Sequence, residues 1–375
     1  MNEQTKYAQL NPSRRILLGP GPSDVHPRVL NAMSMPMLGH MDPEFIAIMD
    51  EVKEMLRLAM NTSNRMTYVV SGPGSAGMQS SLMNVLEPGD TIVICKNGVF
   101  SGRMEEMSRR IGANVVLVEA PWGEVIPAEK VKATLESTNA KALAIIHAET
   151  STGVLQPIEE IARLTKDAGV LLIVDAVASF CGTPIKTDEW GIDVLYSGSQ
   201  KCMSAPPGLS PTSFSSAALK IAESRKSQMP SWLLDVRLLE SYWSGSRRAY
   251  HHTAPVSTIY AMHEALRMVL DEGLEARFAR HIKHTRMLRD GLEKRGFNIA
   301  VKPEERLPML TMVEIPDGLE DAEVRSRLLL DYNVEIGGGL GKFAGKVWRV
   351  GLMGESSTMN NVNALLGALD EICEL

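Results

Sequence analysis

The chain alternates short, almost wholly apolar runs with longer segments in which apolar residues recur every three or four positions. The runs are Thr67–Val70, Thr91–Cys95, Asn114–Val118, Ala142–Ile146, Val170–Val174, Ile192–Leu195 and Pro211–Phe214. They have strand length and little internal polarity, as strands covered on both faces do. Between them the spacing predicts helices over Gly77–Leu86, Arg103–Ile111, Pro127–Ser137 and Ile158–Ala168. Strand–helix alternation of this kind predicts an α/β fold built on a mostly parallel, seven-stranded sheet.

Past Phe214 the pattern loosens, and residues 228–250, with Trp232 and Trp243, read as irregular. A long helix follows over Val256–Glu272. The remainder reads as a smaller α+β unit: helix Leu274–Arg295, strand Leu310–Glu314, helix Ala322–Tyr332, strand Val347–Gly351 and helix Asn360–Ile372. The expected organisation is an N-terminal arm (1–12), a large domain (13–272) and a small C-terminal domain (273–375).

Composition narrows the class. With 375 residues the chain can bury two cores, and its net charge of -6 offers no basic field to nucleic acid or an anionic membrane. No apolar stretch approaches membrane-spanning length, and the first residues lack the basic-then-apolar order of a secretory signal. Cys95, Cys181, Cys202 and Cys373 have neither metal nor disulfide spacing. A cytoplasmic protein is expected.

The candidate chemistry lies at strand ends. Asp175 closes the run ending at Val174, and Lys201 follows the run ending at Leu195 in Ser197-Gly198-Ser199-Gln200-Lys201. Ends of parallel strands converge on the crevice where α/β proteins bind ligands. A lysine and a carboxylate there suit pyridoxal phosphate: the amine holds the aldehyde and the acid keeps the pyridine nitrogen protonated. Upstream, Gly72, Gly74 and Gly77 in Ser71-Gly72-Pro73-Gly74-Ser75-Ala76-Gly77 form G-x-G-x-x-G between a strand and a helix. That loop can bind a phosphate, and it leaves open an NADP-linked oxidoreductase in which Lys96 meets a 2′-phosphate. His251 and His252 are adjacent and point apart on regular backbone, so no metal site is expected. His281 and His284 read as the solvated face of a basic helix, and Gly337-Gly338-Gly339-Leu340-Gly341 as a mobile connection.

Further motifs occur in order: Leu18-Gly19-Pro20-Gly21-Pro22, Asn84-Val85-Leu86-Glu87-Pro88-Gly89-Asp90, Ser151-Thr152-Gly153-Val154-Leu155-Gln156-Pro157, Ala205-Pro206-Pro207-Gly208, Tyr250-His251-His252-Thr253 and Gly338-Gly339-Leu340-Gly341. With these the chain resembles the class V pyridoxal phosphate-dependent aminotransferases of fold type I, within them the alanine–glyoxylate / serine–pyruvate group. The resemblance implies a transaminase that moves the amino group of alanine or serine to glyoxylate or pyruvate. It implies that Lys201 carries the cofactor, that Asp175 pairs with its ring nitrogen, and that Phe100 and Val177 pack on its two faces. Pro73, Gly74, Ser75 and Gln200 would hold the phosphate, and Thr150 would reach the ring hydroxyl. Tyr250 and Thr253 would reach the phosphate in a partner subunit, making a homodimer with shared sites. Gly21 would floor the substrate pocket and Arg349 would bind the substrate carboxylate. Some relatives carry Ser-Gly-His in the phosphate loop and Trp at position 100. A sister group acting on ureidoglycine tends to carry Gln and Asn where this chain has His40 and Tyr250.

Overall fold

In the computed structural model, which describes residues 9–245 and 247–374, the apolar runs assemble into one sheet. Its strands are β1 (Met66–Ser71), β2 (Thr91–Lys96), β3 (Asn114–Glu119), β4 (Ala142–Ile146), β5 (Leu171–Asp175), β6 (Val194–Tyr196) and β7 (Leu209–Phe214). The order across the seven-stranded sheet is β1-β7-β6-β5-β4-β2-β3. From β3 to β6 neighbours are parallel, while β7 runs antiparallel to both β6 and β1. Pro211, which has no N–H to donate, fits in β7 because its carbonyl still accepts from Ser197 N–H at 2.8 Å.

Three early helices bear on the site: α1 (Pro43–Met60), α2 (Gly74–Val85) and α3 (Val99–Ile111). Both α2 and α3 begin about a turn before the apolar spacing starts, because their first turns face the cavity described below. The hydrophobic pattern gave no helix over α1, although Asp42 caps it by accepting from Glu44 N–H at 2.8 Å and Pro43 opens it. It covers edge strand β1 together with Val236–Trp243, a helix within the stretch expected to be irregular. Asp235 caps that helix, and Val236, Leu239, Tyr242 and Trp243 turn one apolar face inward.

The long helix α4 (Val256–Glu272) occupies the predicted residues and leads into α5 (Leu274–Glu293). Beyond it, β8 (Leu310–Glu314), β9 (Gly337–Gly338) and β10 (Val347–Gly351) form an antiparallel sheet with β10 in the middle. The helices α5, α6 (Asp321–Asp331) and α7 (Met359–Ile372) share a core with that sheet, through Leu288, Val324, Trp348, Val350 and Leu365. The glycine run expected to be a mobile connection is thus partly a strand, with Gly337 opposite Arg349. Ile16 and Leu18 pack in this second core as well, and Ile16–Leu17 pairs with Val334–Glu335. Of the arm expected over 1–12, residues 1–8 lie outside the described residues, and 9–12 are exposed without regular structure. Alternation along β10 sends Trp348 into the small core and Val347 and Arg349 toward the large sheet.

Candidate active site

Strands β4, β5 and β6 end at one edge of the sheet, where α2 and α3 begin. A cavity of about 230 Å³ opens between them. Asp175, the last residue of β5, and Lys201, beyond the end of β6, both line it. Asp175 Oδ1 accepts from Val177 N–H at 2.7 Å and Oδ2 from the Tyr196 hydroxyl at 2.8 Å. Its carboxyl is pushed up to about 7, chiefly by burial. A buried acid in this condition calls for a cationic or N–H partner. Lys201 Nζ donates to the Pro20 carbonyl, and burial, assisted by the charge of Arg349, brings its amine down to about 8.

The helix end of the cavity is built for an anion. Pro73 is the N-cap of α2 and gives no side-chain cap, so the free N–H groups of its first turn, at Gly74 and Ser75, stand at the cavity wall. Gln200 lines the same space, and its side-chain Oε1, an acceptor, is buried without a partner among the described residues, so only its amide N–H groups could serve an anion. Phe100, Val177 and Thr150 complete the predicted lining. Arg103, which the sequence reading passed over, joins them with its guanidinium 4.8 Å from the Phe100 ring centre.

Two predicted substrate groups adjoin the cavity. Arg349 is 7% exposed and donates to the carbonyls of Gly338, at 2.7 Å, and Thr150, at 3.3 Å. No carboxylate of the described residues pairs with it. Gly21 has φ +103°, and a Cβ there would stand 2.5 Å from Lys201 Cδ, so both backbone and space demand glycine. Tyr250 and Thr253 are not brought to this chain's cavity. They lie exposed on the surface, the Tyr250 ring 4.8 Å from that of His40.

Three readings change. The dinucleotide alternative fails on topology: β1 is an edge strand whose neighbour is antiparallel β7, and four strands separate it from Lys96 on β2. A dinucleotide fold needs those two strands side by side and parallel. Lys96 instead pairs with Glu105 at 2.7 Å. His281 is fully buried, its Nδ1 at 2.7 Å from the Arg277 carbonyl and its Nε2 accepting from Gly354 N–H at 2.9 Å. The basic helix turns this face inward to join α5 to the C-terminal segment. Glu149 and Tyr196 were missed as site residues. Tyr196 meets Asp175 across the β5–β6 register, a relation no local spacing reveals.

Residues 17–355 match the family described as aminotransferase class-V. The chain belongs to the class-V aminotransferases. It is 42% identical to the alanine–glyoxylate aminotransferase of Rattus norvegicus over 96% of this chain and 87% of the rat protein. It is 37% identical to the (S)-ureidoglycine–glyoxylate transaminase of Bacillus subtilis, covering 96% and 90% of the two chains. The crystal structure of an alanine–glyoxylate aminotransferase from Nostoc sp. superposes with a TM-score of 0.97 at 45% identity, covering 99% of this chain and 98% of that one. The aminotransferase's cavity fits a phosphorylated pyridine aldehyde on three counts. It offers an uncapped helix end for the phosphate, a buried amine for the aldehyde and, for the ring nitrogen, a buried acid that no described cation pairs within salt-bridge distance.

Proposed function

We propose that this enzyme is a pyridoxal phosphate-dependent transaminase that takes the amino group of alanine or serine and gives it to glyoxylate or pyruvate. The observation that carries the reading is the placement of Lys201 and Asp175 in one cavity with the α2 N-terminus. Bound there, the cofactor supplies an electron sink for the charge left when the substrate Cα–H bond breaks. Lys201 would hold the aldehyde, and its amine, near 8, is well matched to accepting a proton from substrate Cα. Asp175 keeps a proton on the ring nitrogen. Arg349 grips the substrate carboxylate and so fixes the direction of the Cα–H bond. Gly21 lies beside Lys201, where its backbone would floor the substrate pocket.

The rat and Nostoc proteins are named for alanine and glyoxylate, which supports those substrates here. The Bacillus protein supports ureidoglycine as a second donor, against which stand His40 and Tyr250 in mutual ring contact. A homodimer in the cytoplasm is part of the proposal. Tyr250 (60%) and Trp232 (58%), whose ring stacks on His251, expose large apolar area beside Thr253, as an interface for a second copy would. Alanine, serine and ureidoglycine, each paired with glyoxylate and with pyruvate, form the test. Turnover of alanine or serine is expected, and turnover of ureidoglycine alone would overturn the assignment.

A further inference from the structure

Beside the cavity lies a carboxylate with no part in the chemistry above. Glu149 ends the short strand Ala148–Glu149 and is 1% exposed. Its Oε1 accepts from Ser151 twice, from the hydroxyl at 2.6 Å and the N–H at 3.1 Å. Its Oε2 accepts from Ser101 N–H, in the first turn of α3, at 3.1 Å. The Phe100 N–H also favours the charged carboxylate. The Ser151 hydroxyl in turn accepts from Val99 N–H at 2.9 Å. The Ser101 and Phe100 N–H groups belong to the first turn of α3, and the Ser151 hydroxyl serves a third, at Val99, while the Ser151 N–H comes from the turn after Glu149 itself.

A helix ordinarily receives its cap from its own N-cap side chain. Here the N-cap is Gly98, which has none, and a Cβ at that position would stand 2.5 Å from Glu149 Cδ. The cap therefore comes from a strand edge 48 residues further along the chain. The same edge carries Thr150, and the capped turn carries Phe100, both of which line the cavity. Burial raises the carboxyl's pKa, and the positive end of α3 with its converging donors offsets part of that cost.

We propose that Glu149 is a positioning residue: by capping α3 from the neighbouring strand it fixes where Phe100 stands in the cavity. The capping rests on geometry alone, and its effect on cofactor rests on the pyridoxal phosphate reading above. Full-length Glu149→Ala, Phe100→Ala and the double variant test it with two readouts. In cofactor-free protein, amide exchange at 99–103 should quicken about tenfold in Glu149→Ala while β5 keeps its native rates. With pyridoxal phosphate, Glu149→Ala should weaken binding and lose visible circular dichroism as Phe100→Ala does, and the double variant should lose no more than the worse single. Unchanged exchange at 99–103, or losses that simply add, would overturn the proposal. If Glu149→Ala does not fold, Ser151→Ala replaces it, with faster exchange at Val99 expected and native exchange there counting against the cap. Wild-type protein that binds no pyridoxal phosphate would sink the cofactor reading, and the exchange arm would still decide the capping.

Discussion

Lys201 is an amine kept from water, and its chemistry follows from that. An amine attacks an aldehyde only when neutral, and the neutral fraction rises with pH through the pKa. Burial and Arg349 lower that pKa from 10.5 to about 8. Capture of pyridoxal phosphate by cofactor-free protein should therefore rise with pH to a half-point near 8. In Arg349→Ala the half-point should move upward, because a repelling cation is gone. Stopped-flow absorbance checks this, and a half-point near that of an ordinary lysine would contradict it. The same substitution should raise KM for the amino acid by roughly 10- to 100-fold, the worth of a charge-assisted pair at about 1.5–3 kcal/mol, with a smaller change in kcat. Steady-state kinetics with unchanged KM would place the carboxylate elsewhere. Lys201 and Asp175 were legible because strand ends can be read from apolar runs. Glu149 was not, since a cap donated from a distant strand leaves no local spacing, although the acid stands openly in Glu149-Thr150-Ser151.

Elements carry these residues to one edge, and close packing holds them there. Gly77 lets α2 lie on β6 and β7, for a Cβ at that position would stand 2.0 Å from Ser210 Oγ and 3.3 Å from Tyr196 Cβ. Gly77→Ala should destabilise the protein by about 1–3 kcal/mol, seen as a lower urea midpoint. A wild-type midpoint would show that the helix has slack there. The central strands were readable within a residue or two because burial on both faces makes them largely apolar, as in Ala142–Ile146 and Leu171–Asp175. Helix starts were not. The first turn of α2 serves the cavity, so Gly74 and Ser75 replace the apolar repeat that marks a helix, and the cap glycine Gly98 leaves α3 without a start signal. The histidines of α5 misled for the converse reason: a basic surface pattern concealed His281, whose partners come from Arg277 and Gly354.

At the scale of the whole molecule, β10 brings Arg349 from the small sheet to the rim of a cavity built by the large one. Neither unit alone holds both the amine and the arginine. Light scattering should give a mass twice that of one chain if Tyr250 and Thr253, exposed on this chain, serve a partner's site as proposed, and a monomer would contradict that proposal. Registers such as Gly337 opposite Arg349 could not be read from the sequence, because a glycine run looks the same whether paired or free. Lys201, which lines one cavity with Asp175, is the residue proposed to carry the cofactor. Borohydride reduction after addition of pyridoxal phosphate, followed by peptide mass mapping, tests it most directly. A stable adduct on the Lys201 peptide, lost in Lys201→Ala, is expected; an adduct confined to other lysines would mean that another amine holds the aldehyde.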